Sequence, residues 1–203
     1  MKIAIAGASG QAGSRITAEL ARRGHAVTAI ARNPEKIASL PNVTAKKGDV
    51  NDEAALATLW AGHDAAISSV HFSVSDPAKL IGAAKSSGVG RYLVVGGAGS
   101  LEVAPGVRLV ATPNFPPQYK AEATKGGEFL DLLRGEKDLN WTFLSPSALF
   151  VAGERTGKFR LGTDQLLTAS DGKSWISFED FAVALADEIE RPSHLRQRFT
   201  VGY

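Results

Sequence analysis

Cysteine is absent from the 203-residue chain. That removes disulfides, thiolate nucleophiles and cysteine-ligated zinc from consideration. The four histidines, His25, His63, His71 and His194, are scattered without ligand spacing, so a histidine-based metal site is not expected. Long apolar runs are missing as well, since none approaches the ~20 residues of a membrane span. The apolar start, Ile3 to Ala6, is interrupted at once by glycine and does not read as a signal segment. A charge excess of one sign is also missing: 23 Lys and Arg face 21 Asp and Glu, a net charge of +2, which is no electrostatic footprint for nucleic acid. Hydrophobic residues make up 44% and charged residues 22%, enough to bury a core and too little charge for disorder. The expectation is one cytoplasmic domain over residues 1–203, with no nucleic-acid or membrane partner.

What is present is alternation. Lys2–Ala6 reads as a short apolar strand, and residues 12–23 place Ala12, Ile16 and Leu20 on one helical face before Gly24 ends the helix. Strands are expected at Ala26–Ala31, Val43–Lys47 (edge-like), Ala65–Ser68 and Arg91–Val95. Between them, Asp52 caps a helix running through Trp60, and Asp76 with Pro77 starts another that reaches Gly88. Short strands and helices in βαβαβ order specify an α/β fold, a doubly wound Rossmann-type parallel sheet with helices on both faces.

The second half is less regular. Residues 100–118 hold four of the nine prolines and no periodicity, and a loop this long is usually functional, often a lid. A helix over 119–134 is expected despite Gly126 and Gly127 in its middle. A strand over 141–144 runs into Ser145-Pro146-Ser147, and 198–201 forms a last strand. Ser177 with Asp180 resembles a capping box, followed by the apolar face Phe178, Phe181, Ala182, Leu185, Ala186 and Ile189. Residues from about 145 to 203 are expected to contribute a substrate side.

The strongest signal is Gly7-Ala8-Ser9-Gly10-Gln11-Ala12-Gly13, directly between the first strand and the first helix. Glycines there allow a tight turn and let backbone amides approach a pyrophosphate, while the third lets helix and strand pack closely. The helix N-terminus adds unpaired N–H groups and partial positive charge. About 20 residues past the glycine loop, where an NAD site carries an acidic residue, the second strand ends in Arg32. A guanidinium suits the 2′-phosphate of NADP, so NADP(H) is the expected cofactor; the alternative is a solvated surface arginine. Arg15 is a second cation near the loop, or an ordinary exposed helix residue. Ser69, Val70, Gly96 and Gly97, at the carboxyl ends of strands, are expected to line the ribose and nicotinamide side.

The Gly-x-x-Gly-x-x-Gly spacing resembles the short-chain dehydrogenase/reductase superfamily, particularly its extended and atypical branches. Residues 2–32, Lys47-Gly48-Asp49-Val50, Leu93 to Ala98 and Ser145-Pro146-Ser147 sit where that family has its strand-end loops. Gly153-Glu154-Arg155-Thr156-Gly157 looks like the C-terminal loop of a small NAD(P)H-binding subgroup similar to NmrA-like and biliverdin/flavin reductase B proteins. The resemblance implies that Asp49 and Val50 border the adenine. Ser145 and Pro146 take cofactor-side or structural roles. It also implies a Tyr-x-x-x-Lys dyad, which this chain breaks: Tyr119 is followed by Lys120, and Lys125 lies six positions on. At ~100° per residue, separations of one and six leave both lysines about 100–120° off the tyrosine's face. Tyr119 in a loop before the helix, with Lys125 reaching a ribose, remains the catalytic candidate pair beside a purely structural reading of both. Ser100 and His71 follow strands on the ligand side; each has a local hydrogen-bonding alternative.

Two functions stay open. The first is an NADPH-dependent reductase of a quinone, flavin or carbonyl small molecule, in which orientation alone supplies ~7–11 kcal/mol. The second is a non-catalytic NADP(H) redox sensor of the NmrA type. A sugar-nucleotide-like epimerase or dehydratase comes third, because it leans on the missing dyad. A homodimer is compatible with all three.

Overall fold

The computed structural model describes all residues, 1–203. An eight-stranded sheet has the order β10-β12-β8-β5-β4-β1-β2-β3. Its strands are β1 (Lys2–Ala6), β2 (Ala26–Ala31), β3 (Val43–Lys47), β4 (Ala65–Ser68), β5 (Arg91–Val95), β8 (Trp141–Pro146), β10 (Arg160–Gly162) and β12 (Gln197–Gly202). All neighbours are parallel except β10, which runs antiparallel to β12. Two small pairs lie outside it: an antiparallel hairpin of β6 (Glu102–Ala104) and β7 (Val107–Arg108), and a parallel pair of β9 (Leu149–Val151) and β11 (Trp175–Ser177).

The strand alternation sorts side chains to two faces. Ile3, Ile5, Val27, Ala29 and Ile67 join one core with Ile16 and Leu20 of α1 (Gln11–Arg22) and with Phe181 and Leu185 of α5 (Phe178–Glu190). Ala4, Ala6, Ile30 and Ala66 join the other with Leu56 and Trp60 of α2 (Glu53–Trp60), Leu80 of α3 (Pro77–Ser87) and Phe129 and Leu130 of α4 (Pro117–Gly135). A period of two in β1 therefore feeds both cores, as expected of a parallel sheet buried on both sides. Asp52 and Asp76 cap α2 and α3 by accepting the amides of Ala55 and Ala78, and Gly88 ends α3 in the left-handed conformation.

The structure corrects three expectations and adds three short strands. Residues 100–118 are not wholly irregular, because they contain the β6–β7 hairpin and a 3-10 turn, Leu109–Ala111. Three-residue strands carry too few alternations to show in sequence, which also hid β9, β10 and β11. Helix α4 begins at Pro117, so Tyr119 lies in its first turn rather than in a loop; the proline supplies a preset helical φ. The Ser177–Asp180 capping box is half made: Ser177 Oγ accepts the Asp180 amide, while the Asp180 carboxylate turns elsewhere.

The paired glycines of α4 have different causes. A Cβ on Gly126 would sit 2.8 Å from the Phe72 ring, whereas one on Gly127 would meet nothing closer than 3.4 Å. Gly126 thus makes room for an aromatic cluster in which Phe72, Phe129 and Phe143 pack with centroids 6.0–6.4 Å apart. Gly127→Ala is expected to stabilise the protein by about 0.5–1 kcal/mol through helix propensity. Gly126→Ala should instead destabilise it by about 1–3 kcal/mol through overpacking. Chemical denaturation of the two variants checks this contrast; equal effects would remove the packing explanation.

Candidate functional site

Three features of the β1–α1 loop follow from its backbone. Gly7 has φ +84°, and a Cβ there would lie 2.0 Å from the Ser69 carbonyl oxygen. A Cβ on Gly13 would lie 2.1 Å from the Gly7 carbonyl oxygen. These two glycines are fixed by contacts within the chain. Gly10 is different: it is exposed, and a Cβ there would meet only the Gly7 carbonyl oxygen at 3.3 Å, so internal packing barely requires glycine at this position. Between them, Ala8 is buried in the core while Ser9 and Gln11 are exposed and Ala12 is half-buried.

Only some of the loop's amides are used within the chain. Gly7 N and Ala8 N donate to the Ile30 carbonyl, and Gly10 N donates to Gly7. The amides of Ser9, Gln11, Ala12 and Gly13 have no acceptor within the chain. Helix α1 has neither a side-chain cap nor an acidic residue in its first turn, whereas α2, α3 and α5 are capped by Asp52, Asp76 and Ser177. Four free amides at an uncapped, positively polarised helix end suit a pyrophosphate, and a side chain at Gly10 would stand in front of them.

Arg32 directly follows β2 and is exposed. Among the arginines, only Arg32 and Arg191 donate no side-chain hydrogen bond within the chain. Arg15, the other cation considered near the phosphates, is committed elsewhere. Its Nε donates to Glu179 at 3.1 Å, and its guanidinium lies 5.8 Å from the Phe178 ring centroid. Asp49 is exposed and closes a turn by accepting the Asn51 amide, and Val50 beside it packs partly against the core.

On the other half of the sheet edge, Ser69 and Val70 are half-buried against the glycine loop. Gly96 and Gly97 directly follow β5; a Cβ on Gly96 would lie 2.3 Å from the Phe143 ring, so this glycine serves packing. Ser145 and Pro146 are fully buried, and the Ser145 carbonyl accepts Thr200 Oγ1 of β12. Of the two roles read from sequence, this geometry fits the structural one, as neither residue offers surface to a ligand. Tyr119 is 61% exposed, and its hydroxyl has no partner. Lys125 is exposed on the same helix, with Nζ 3.5 Å from the Ser73 carbonyl oxygen. It lines a recess of about 200 Å³ with Phe72, Ser75, Pro77, Glu128 and Phe129. The structure does not bring Tyr119 and Lys125 together as a dyad.

Sequence reading missed Glu122. Its two carboxylate oxygens accept the amides of Phe72 and Ser73 at 2.7 and 2.8 Å, fixing the turn after β4 to α4. Burial alone would raise its pKa, but the hydrogen bonds from Ser73 and Phe72 outweigh burial and hold it below the ordinary glutamate range. The available signal was its place one helical turn before Gly126, on the face that meets Phe72. The loop Gly153 to Gly157 likewise has anchors that its sequence does not show. Asp180 accepts Gly157 N and Thr156 Oγ1, Glu179 accepts Gly153 N, and Arg155 forks onto Glu19.

A Gly10→Val variant should keep the parent fold, because Gly10 has extended backbone angles and room for a side chain. It should weaken NADPH binding at least about tenfold, since charge-assisted amide–phosphate bonds are each worth about 1.5–3 kcal/mol. Calorimetric titration checks this, and parent-like affinity would overturn the loop's role.

Comparison with known proteins agrees with this geometry. A family model described as NAD(P)H-binding matches residues 7–192. Among solved structures, a Burkholderia pseudomallei protein with the provisional name exported protein is 46% identical, with both chains fully covered and a TM-score of 0.90. A Bacteroides thetaiotaomicron protein provisionally named an epimerase is 41% identical over all of this chain and 96% of its own, with a TM-score of 0.95. A Streptococcus pneumoniae protein provisionally named an NADH-flavin reductase is 37% identical over all of this chain and 99% of its own, with a TM-score of 0.80. No helix of the chain is long and apolar enough to cross a membrane. With a family model that covers most of its length and relatives 37–46% identical over all of it, the chain belongs to the NAD(P)H-binding family, on a Rossmann-type fold.

Proposed function

We propose that the protein is an NADPH-dependent reductase of a small quinone, flavin or carbonyl acceptor. The observation that carries the cofactor half of this reading is Arg32, an exposed guanidinium without an internal partner at the end of β2. The amides of Ser9, Gln11, Ala12 and Gly13 would hold the pyrophosphate, Arg32 the 2′-phosphate, and Asp49 and Val50 the adenine. Ser69, Val70 and Gly97 would border the nicotinamide half. Bound there, reduced nicotinamide supplies a hydride. The chain's own part is orientation and exclusion of water, with turn-rich residues 97–116 and 148–158 as the candidate acceptor side. The name of the Streptococcus pneumoniae relative supports a flavin among the acceptors to be tried first. Cytoplasm is the compartment proposed with this activity; cell fractionation tests it, since one relative carries an export name.

A second reading, a non-catalytic NADP(H) sensor, is favoured by one observation: Tyr119 is exposed without a partner and Lys125 is turned toward Ser73. Epimerase chemistry ranks below both, because it would need the missing dyad. Steady-state NADPH oxidation against a quinone, flavin and aldehyde panel separates reductase from sensor; tight NADPH binding with no turnover selects the sensor.

Loss of one guanidinium–phosphate bond, about 1.5–3 kcal/mol, corresponds to roughly tenfold or more in affinity. Arg32→Ala should therefore weaken NADPH binding roughly tenfold and leave NADH binding nearly unchanged. Dissociation constants for both cofactors check this. Equal losses, or a parent that prefers NADH, would reject the assignment.

A further inference from the structure

Reduction of a carbonyl or quinone leaves an oxyanion that must take up a proton, and the reading proposed above names no donor. The turn after β4 brings one candidate to the right edge of the sheet. Val70 touches the glycine loop, its Cγ1 lying 3.0 Å from where a Cβ of Gly7 would be. Phe72 reaches the end of β5, its ring 3.5 Å from where a Cβ of Gly97 would be. His71 stands between these two residues, so its backbone lies at the border of the ends of β1, β4 and β5, where the order of this sheet reverses.

Its side chain is 84% exposed, and its Nδ1 lies 3.4 Å from Glu122 Oε1. Glu122 is held in turn by the amides of Phe72 and Ser73. A carboxylate locked by two amides thus faces one ring nitrogen of an exposed imidazole, leaving Nε2 outward. The other charged or titratable groups near this turn are Tyr119, Lys120, Lys125 and Glu128 of α4, the last lining a recess with Phe72, and Asp76 at the cap of α3. Lys125 points to the Ser73 carbonyl, and Asp76 accepts Ala78 N. Only Glu122 is within ion-pair distance of the ring.

We propose that His71 is the proton donor of the reductase and that Glu122 is its positioning residue, which narrows the acceptor to a carbonyl or quinone. This rests on the reductase reading. With a hydride from bound reduced nicotinamide, two electrons and one hydrogen would reach the acceptor, whose oxygen would gain the electron pair of the broken π bond. The oxyanion then takes the proton of Nε2–H: an O–H bond forms, the N–H bond breaks and its pair stays on the ring. The neutral imidazole left behind carries its remaining proton on Nδ1, facing Glu122, and is reprotonated by water.

Two measurements test it. In the ligand-free protein, 15N NMR of the neutral His71 ring should find the proton on Nδ1; a ring protonated mainly on Nε2 would overturn the role of Glu122. In turnover, kcat of the parent with a quinone or aldehyde should fall with rising pH as the donor deprotonates. His71→Asn should lose that limb and about 100-fold in kcat, with the NADPH dissociation constant unchanged. Glu122→Gln should lower kcat more than it changes KM. A His71→Asn variant that binds NADPH and keeps the parent kcat and pH profile overturns the inference alone. A parent that binds NADPH but reduces nothing in the panel overturns the reductase reading and the inference together.

Discussion

The approach of the Gly7 backbone to the end of β4 constrains everything at the candidate site. With the Ser69 carbonyl oxygen 2.0 Å from any Cβ at Gly7 and the Gly7 carbonyl oxygen 2.1 Å from any Cβ at Gly13, the loop, β4 and α1 form one packed unit. That packing fixes the first turn of α1 beside the ends of β1 and β4, and its amides have no internal acceptors. Position 10, at the crest of the same loop, is spared this crowding. The loop therefore divides its glycines between holding the fold and leaving room for a ligand.

Buried carboxylates do the corresponding work for the less regular half. Asp180, wholly buried, gathers Thr156, Gly157 and the Tyr203 hydroxyl. Glu19, also buried, gathers Arg22, Arg23 and the Arg155 of the loop above it. Burial alone would raise the Glu19 pKa, but hydrogen bonds from Arg155, Arg22 and Arg23 outweigh it and hold this carboxyl well below the ordinary range. With the folded pKa depressed, its stabilisation is complete above the ordinary glutamate pKa and fades as pH falls toward the depressed one. A segment with no regular secondary structure is thus held by charge and hydrogen bonds near neutral pH. On the opposite face Asp131 and Asp164 tie Arg108, Arg134 and Arg198 together and secure the β6–β7 hairpin to α4 and β12.

The parts legible in sequence are those governed by local rules. The five strands β1 to β5 and the caps at Asp52, Asp76 and Ser177 follow from alternation and from orphan helix amides, both of which are written in neighbouring residues. The partners of those residues are not. Gly126 looks like a helix defect until Phe72, far away in sequence, is seen beside it. Glu122 looks like a solvated helix residue until the turn after β4 is placed against it. Arg15 and Arg32 look alike as cations near a phosphate loop, and only the fold shows that Glu179 and Phe178 occupy the first and nothing occupies the second. Ser145 sits at a strand end as expected, yet β12 arrives beside it and takes up its carbonyl oxygen.

The outer strands of the sheet have one further consequence. At one margin β3 is exposed along nearly its whole length and ends in Lys46 and Lys47; at the other, β10 is only three residues long and antiparallel. Unpaired strand margins are templates for chain-to-chain recruitment, and lysines or brevity blunt them. Neither margin offers a long, flat, apolar ladder, so this sheet resists fibre-like growth in concentrated solution.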